Sequence, residues 1–211
     1  MKKASLINDY LRRYAAGPSW RLRAEDSGPV EQVVVIPAYA ERDLIFFTLA
    51  SLAANPEAML EKTMVLCVVN NKADSPKEDR ENNALTLALL DALAKRRRLD
   101  MPDADGNLQE AWQRVASSRL RLGFVDASSP GLEIPRRAGG VGMARKIGMD
   151  AALGLLANSK QKLRLILSLD ADTLVKPDYL TGVRTAFSSG RAQEKAVRIT
   201  NIKCLRTGRV R

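Results

Sequence analysis

Leu165-Ile166-Leu167-Ser168-Leu169-Asp170-Ala171-Asp172 is an almost unbroken apolar run that stops at two carboxylates. A short apolar run of this kind reads as a strand covered on both faces, the habit of parallel sheets. The strand is predicted over Leu163–Leu169, so its carboxyl end delivers Asp170 and Asp172 to the edge where open α/β sheets bind ligands. Residues i and i+2 share one side of extended backbone, and both carboxylates can therefore face one ligand. Two hard oxygen donors suit Mg²⁺ or Mn²⁺, which retain water and complete their shell with phosphate oxygens. A plainer reading makes Asp170 a strand-end residue and Asp172 a cap for a helix near Pro177.

Upstream, Gln32–Ile36 is a β-branched run ended by Pro37, and Thr63–Val69 is a second buried run. Between them Asp43 can cap a helix that continues to about Ala54 and closes at Asn55-Pro56. Strand, helix and strand in this order begin a parallel sheet. Leu120–Val125 reads as the next strand and Met143–Ala157 as the helix leading into the Asp170 strand. A last helix is predicted from Pro177 to about Phe187, and an opening one over Ala4–Ala16. The segment 71–118 offers a charged helix near Glu78–Arg98, a turn at Pro102–Asn107 and a short helix over Leu108–Ser117, but no strand. It is expected to be a helical insertion packed on the edge of the sheet. The domain plan is thus an N-terminal helix and linker over 1–31, an α/β ligand-binding domain over 32–187, and a basic, disordered tail over 188–211.

Two loops carry further candidates. After the first strand, Pro37-Ala38-Tyr39-Ala40-Glu41 offers an aromatic face, a carboxylate and free backbone groups against which a base can rest. In a simpler reading Glu41 only opens a helix, where its charge suits the dipole. Before the helix at Met143, Gly139-Gly140-Val141-Gly142 places glycines ahead of Arg145 and Lys146 in the first turn, an arrangement suited to phosphate. It is not a Walker loop, since Lys146 is followed by Ile147. It is not a dinucleotide fingerprint either, since Pro135-Arg136-Arg137 rather than a strand precedes the glycines.

Composition narrows the class. The 211 residues are 45% hydrophobic and 27% charged, which permits one well-packed domain, and the 5% aromatic content predicts an aliphatic core. Apolar runs are too short to span a bilayer, and no signal segment follows Met1–Lys3, so a cytoplasmic location is expected. With no histidine and only Cys67 and Cys204, the chain has neither imidazole chemistry nor a disulfide framework. Most of the +10 charge sits at the end: residues 183–211 hold eight Lys or Arg against Glu194 alone. A tail of that kind points to peripheral contact with an anionic membrane at its inner face rather than to specific nucleic-acid reading.

Taken together, Val34-Val35-Ile36-Pro37-Ala38-Tyr39-Ala40-Glu41, Gly142-Met143-Ala144-Arg145-Lys146-Ile147-Gly148 and Asp170-Ala171-Asp172 resemble family 2 glycosyltransferases of the GT-A fold. The resemblance runs from about Gln32 to Leu180. It implies a sandwich with a mostly parallel central sheet, helices on both faces, and a donor site for a UDP- or GDP-sugar with Mg²⁺ or Mn²⁺. Pro37, Ala38, Tyr39 and Glu41 would border base and ribose, Arg145 the base or diphosphate, Asp170 the ribose, and Asp172, with Asp170 beside it, the metal. Where the family usually has an Asp pair and Gly-Ser after its second strand, this chain reads Asn70-Asn71-Lys72-Ala73, which assigns the base edge to Asn70 or Asn71. Ala40 stands where Asn is frequent. The family's acceptor half follows well beyond the metal motif, so the chain is expected to stop before it, with the acceptor and the general base unassigned. A non-catalytic nucleotide- or partner-binding fragment is the main alternative. A haloacid-dehalogenase-like phosphatase also uses Asp-x-Asp, but on its first strand and with Thr or Val where this chain has Leu174. A sugar-1-phosphate nucleotidylyltransferase would need a glycine-rich loop after the first strand, and Pro37–Arg42 has none.

Overall fold

A computed structural model describes residues 2–188, apart from 27, 98–100, 102–103, 138–139, 158 and 160, together with 205–206. The chain order is α1 (Lys2–Tyr14), β1 (Leu22–Arg23), β2 (Gln32–Ala38), α2 (Arg42–Ala53), α3 (Glu57–Leu60), β3 (Thr63–Asn70) and α4 (Lys77–Ala94). It continues with α5 (Gly106–Ser117), β4 (Arg121–Ala127), α6 (Val141–Ala157), β5 (Leu165–Ser168), β6 (Thr173–Leu174), α7 (Tyr179–Ser188) and β7 (Leu205–Arg206). The main sheet has the order β1-β4-β3-β2-β5. Its four long strands are parallel, and β1 runs antiparallel at the edge beside β4. The protein is therefore α/β with a mixed, mostly parallel sheet.

Every residue of β2, β3 and β4 is buried, because helices cover both faces. Alternation along the strands divides the core in two. Val34, Ile36, Val65 and Cys67 point to the side covered by α2, α4, α5 and α7. Val33, Val35, Leu66 and Val68 point to the side covered by α6. Each fully buried aliphatic side chain contributes about 1.5–3 kcal/mol by leaving water. The core is mostly aliphatic, with Phe46 set edge-on to Trp112 at 5.3 Å between ring centres. Helix α6 lies unusually close to the sheet. A Cβ on Gly148 would stand 2.3 Å from Val35 Cγ1 and 2.9 Å from Val68 Cγ2.

The segment 71–118 is not an insertion at the edge of the sheet. Helix α4 is the crossover between the parallel strands β3 and β4, and its Leu89, Leu90 and Leu93 enter the core. Helix α5 packs on α2 through Trp112 and Ala111. The alternation is unbroken because a parallel β3–β4 pair requires a covering helix. The helix expected to reach Arg98 ends at Ala94, while Arg98 and Pro102 lie outside the described residues. Nor does Asp43 cap α2. Glu41 holds the N-cap position without a side-chain cap bond, and Asp43 pairs with Arg42 at 2.6 Å.

Strand β2 does not end at Pro37 but passes through it. The ladder to β3 covers Gln32–Ala38, whereas the ladder to β5 stops at Val35↔Ser168. Leu165 N donates to Glu31 O and Leu169 N to Val35 O, so the odd-numbered groups of β2 face β5. Pro37, the next odd position, faces where β5 has already departed, and its missing N–H costs no ladder bond. The two strands diverge at their carboxyl ends.

At the amino end, α1 rests on α6 and β1 pairs with β4 (Leu22↔Val125). The two-residue β1 went unseen because Arg21–Glu31 reads as polar linker. Beyond Ser188 the tail lies outside the described residues, save that Leu205–Arg206 pairs antiparallel with Thr173–Leu174.

Candidate functional site

The parallel strands run β4-β3-β2-β5, so the order reverses between β2 and β5. Consecutive strands add in one direction from β2 to β4, and α6 then carries the chain back across the other face. The crevice at the carboxyl ends of such a reversal is the ligand-binding position of open α/β sheets. The β2–α2 loop, the β5–β6 loop and the amino end of α6 all reach it.

One part of the site is a cleft of about 360 Å³ lined by Pro37, Tyr39, Glu41, Asn70, Asn71, Lys72, Ser75, Ile134, Gly140 and Val141. Pro37 and Tyr39 face it by alternation. Ala38, expected to border a ligand, does not. It is 1% exposed within the core, and its carbonyl accepts from Asn70 Nδ2 at 2.9 Å. The Tyr39 ring is 41% exposed, while its hydroxyl donates to Asp79 Oδ2 at 2.5 Å. That bond to a carboxylate, with burial adding to it, raises the phenol above its ordinary range.

Asn83, 1% exposed on α4, joins the two loops of the cleft. Its Nδ2 donates to Asn70 O at 3.0 Å and to Asn71 Oδ1 at 3.1 Å, and its Oδ1 accepts from Ala40 N at 2.9 Å. Asn82 Oδ1 accepts from Arg42 N at 3.1 Å. Ala40 sits at φ +53°, a left-handed conformation that is uncommon outside glycine and asparagine. The Asn83 acceptor stabilises it. Asn70 and Asn71 are thereby fixed, with Asn70 Nδ2 occupied by Ala38 O and Val68 O.

The second part is charged. Arg145, in the first turns of α6, pairs with Asp170 Oδ1. Asp170 is exposed and Asp172 partly so. Neither lines the cleft; Glu41 stands between the two parts. Burial pushes the Glu41 carboxyl above its usual range, Tyr39 N–H donates to it at 3.3 Å and pulls it down, and the charges of Asp172 and then Asp170 push it up again. Both aspartates are thus near enough for their charge to act on Glu41.

The β5–β6 loop that carries Asp170 and Asp172, and the chain that follows it through β6 to α7, are held by Thr48 and Ser51 of α2 and by Asn55 just past its end. Thr48 Oγ1 donates to Ala171 O at 2.6 Å, Val175 N donates to Ser51 Oγ at 3.1 Å, and Leu180 N donates to Asn55 Oδ1 at 2.9 Å. Thr48 and Ser51 are three apart and so share one face of α2. The expected pairing of Arg145 with Lys146 as a phosphate site divides. Lys146 turns to the amino-terminal helix, donating to Tyr14 O at 2.6 Å and Asp150 Oδ2 at 2.7 Å. Of the glycine run, Gly139 lies outside the described residues, and Gly140 takes φ +124°.

Sequence reading missed Asn82, Asn83, Asp79 and Ile134. An Asn-Asn pair inside a helix was the available signal, since asparagine is a poor helix former unless its amide has other work. Ile134 carried none: its N–H donates to Asn71 O at 2.9 Å after an irregular loop.

Among the described residues no group of three or more His, Cys, Asp or Glu is gathered to hold a metal ion. The donor set available is the two carboxylates of Asp170 and Asp172. That set fits Mg²⁺ or Mn²⁺ bound through one or two carboxylates with water and substrate phosphates, and it does not fit an all-protein cage. No family model, no curated protein and no solved structure matches the chain.

Proposed function

We propose that this chain forms the donor site of a GT-A-type, family 2 glycosyltransferase and binds a nucleoside-diphosphate sugar, UDP- or GDP-linked. The observation that carries the reading is the adjacency, at the reversal of strand order, of a polar-rimmed cleft and an Arg-Asp-x-Asp lip with Glu41 between them. The cleft suits a planar base: Tyr39 offers a ring, and Asn70, whose Nδ2 is held by Ala38 O and Val68 O, offers its Oδ1 as an acceptor, while the amide of Asn71 is engaged by Asn83 and Lys72 O. The ribose falls at Glu41 and Asp170. The diphosphate then lies toward Arg145, whose guanidinium would exchange Asp170 for phosphate oxygens.

A bound Mg²⁺ or Mn²⁺ on Asp172, with Asp170, would offset the charge of the leaving diphosphate. In the transfer an acceptor hydroxyl attacks the anomeric carbon as the bond to the diphosphate oxygen breaks. No described residue is assigned as the base that takes the hydroxyl proton.

Calorimetric titration with UDP and GDP, with and without Mn²⁺, tests the reading. Metal-dependent binding is expected in the wild type and is expected to be lost in Asp172→Ala. A folded wild type that binds neither nucleotide removes the donor-site reading.

A further inference from the structure

Positive charge is not confined to the tail. Residues 1–24 carry six Lys or Arg (Lys2, Lys3, Arg12, Arg13, Arg21 and Arg23) against Asp9 alone. Residues 25–182, which make up the body of the protein, hold 20 basic and 22 acidic residues, so the body has no positive excess to share. The charged amino-terminal segment is largely α1, and α1 is amphipathic.

Its packing is incomplete. None of its described side chains is buried, and Leu6 is 68%, Tyr10 38% and Tyr14 62% exposed. These three recur every fourth residue and form one stripe along the helix. A globular helix normally hides such a stripe against its own core. Here α1 is tethered along one side only, by Tyr10 hydroxyl to Asp150 Oδ1 at 3.1 Å, Ala16 N to Asp150 Oδ2 at 2.8 Å and Lys146 to Tyr14 O. The tether holds Tyr10 at the seam with α6 and leaves Leu6 and Tyr14 outward. Arg12 is exposed and paired with Asp9 at 2.9 Å, whereas Arg13 is exposed and has no ion-pair partner among the described residues.

We infer that α1 is an interfacial helix that lays Leu6 and Tyr14, with the exposed edge of Tyr10 between them, into the headgroup region of an anionic lipid bilayer. An apolar stripe flanked by cations on a short helix is the form that lies in the plane of a membrane surface. Tyrosine suits that depth, with an apolar ring and a polar tip. The local positive excess selects anionic over zwitterionic lipid. A second copy of the chain would bring the same positive segment against itself, which charge disfavours. This inference stands on α1 alone and does not depend on the nucleotide reading.

The full chain is sedimented with phosphatidylcholine vesicles with and without phosphatidylglycerol. The same is done for Leu6→Glu/Tyr14→Glu, whose sites are mostly exposed and whose fold is checked by circular dichroism. Binding to the phosphatidylglycerol vesicles alone, weakened at least about tenfold in the double variant, is expected. A Tyr14→Trp variant gives a second readout, a blue-shifted emission on vesicle addition. Absence of binding by the wild type, equal binding by the double variant, or unshifted emission overturns the inference; equal binding would place the contact on the basic tail. A concentration-dependent dimer that the double variant abolishes, without vesicle binding, overturns it in favour of self-association.

Discussion

Gly148→Ala tests whether α6 touches the sheet as closely as described. The added methyl would sit 2.3 Å from Val35 Cγ1 and 2.9 Å from Val68 Cγ2, against an ordinary contact of at least 3.4 Å. Both valines are 0% exposed, β-branched and pinned in the ladder, so they have little room to rotate. Relief must come from moving α6 outward or distorting the strands, at about 1–3 kcal/mol for overpacking. Alanine recovers about 1 kcal/mol of helix propensity. A clash of more than an ångström with rigid neighbours belongs at or above the top of the overpacking range. The net expectation is therefore a loss of about 2 kcal/mol, or about 4–8 °C in Tm for a domain of this size. Urea unfolding followed by circular dichroism measures it. Val35→Ala alone leaves a void, but combined with Gly148→Ala the new methyl fills the space of the lost one. The double variant should be more stable than the sum of the singles by at least about 1 kcal/mol. If Gly148→Ala is neutral or stabilising, or the two costs simply add, the close approach is wrong. Nucleotide affinity is a companion readout, because α6 also carries Arg145 to Asp170.

Three further outcomes are expected. Asn83→Ala leaves Ala40 N–H, Asn70 O and Asn71 Oδ1 without their partner, so the urea midpoint should fall by the equivalent of about 2–3 kcal/mol, with UDP and GDP affinity reduced even where the variant is folded. Glu41 has a native pKa above its unfolded value, so the native state holds the proton more tightly, and stability declines as pH rises from about 4.5 through the raised native value. Glu41→Gln should therefore flatten that decline and raise Tm at neutral pH relative to wild type; an unchanged pH profile of Tm counts against the burial of the Glu41 carboxyl. Burial pushes the Cys67 thiol up to about 12, so in a Cys204→Ser background no thiol should react with a disulfide reagent until the protein unfolds, and rapid labelling of the native state would contradict the packing of β3.

The strands that set the architecture were legible because β2, β3 and β5 are short aliphatic runs punctuated by Pro37, Asn70-Asn71 and Asp170. What failed was interpretation of the helices between them. Segment 71–118 looked foreign because α4 is charged on its outer face, yet its Leu89-Leu90-Leu93 side enters the core, a division that only the covered sheet reveals. The lining of the candidate cleft was legible at Tyr39, Glu41, Asn70 and Asn71, which end strands or open the loops after them. Its supports were not: Thr48 and Ser51 on α2, Asn55 just past its end and Asn83 on α4 act through backbone groups that are distant in sequence. Lys146 illustrates the limit most clearly, since its place in the helix matched a phosphate site while Asp150 and Tyr14 claimed it from another direction.

Pro37 carries a consequence for how durable the open crevice is. Two parallel strands behave as a zipper, and the supply of N–H and C=O groups is one of the things that decide where it halts. With an ordinary residue at position 37, the next tooth would be available on the β5 side, and Asp170 could be drawn into register as one more paired residue. The imide nitrogen removes that tooth by covalent structure rather than by any balance of weak forces. The mouth between β2 and β5 thus lacks the bond that would extend the ladder by one more residue, whether or not a ligand is present to wedge it apart.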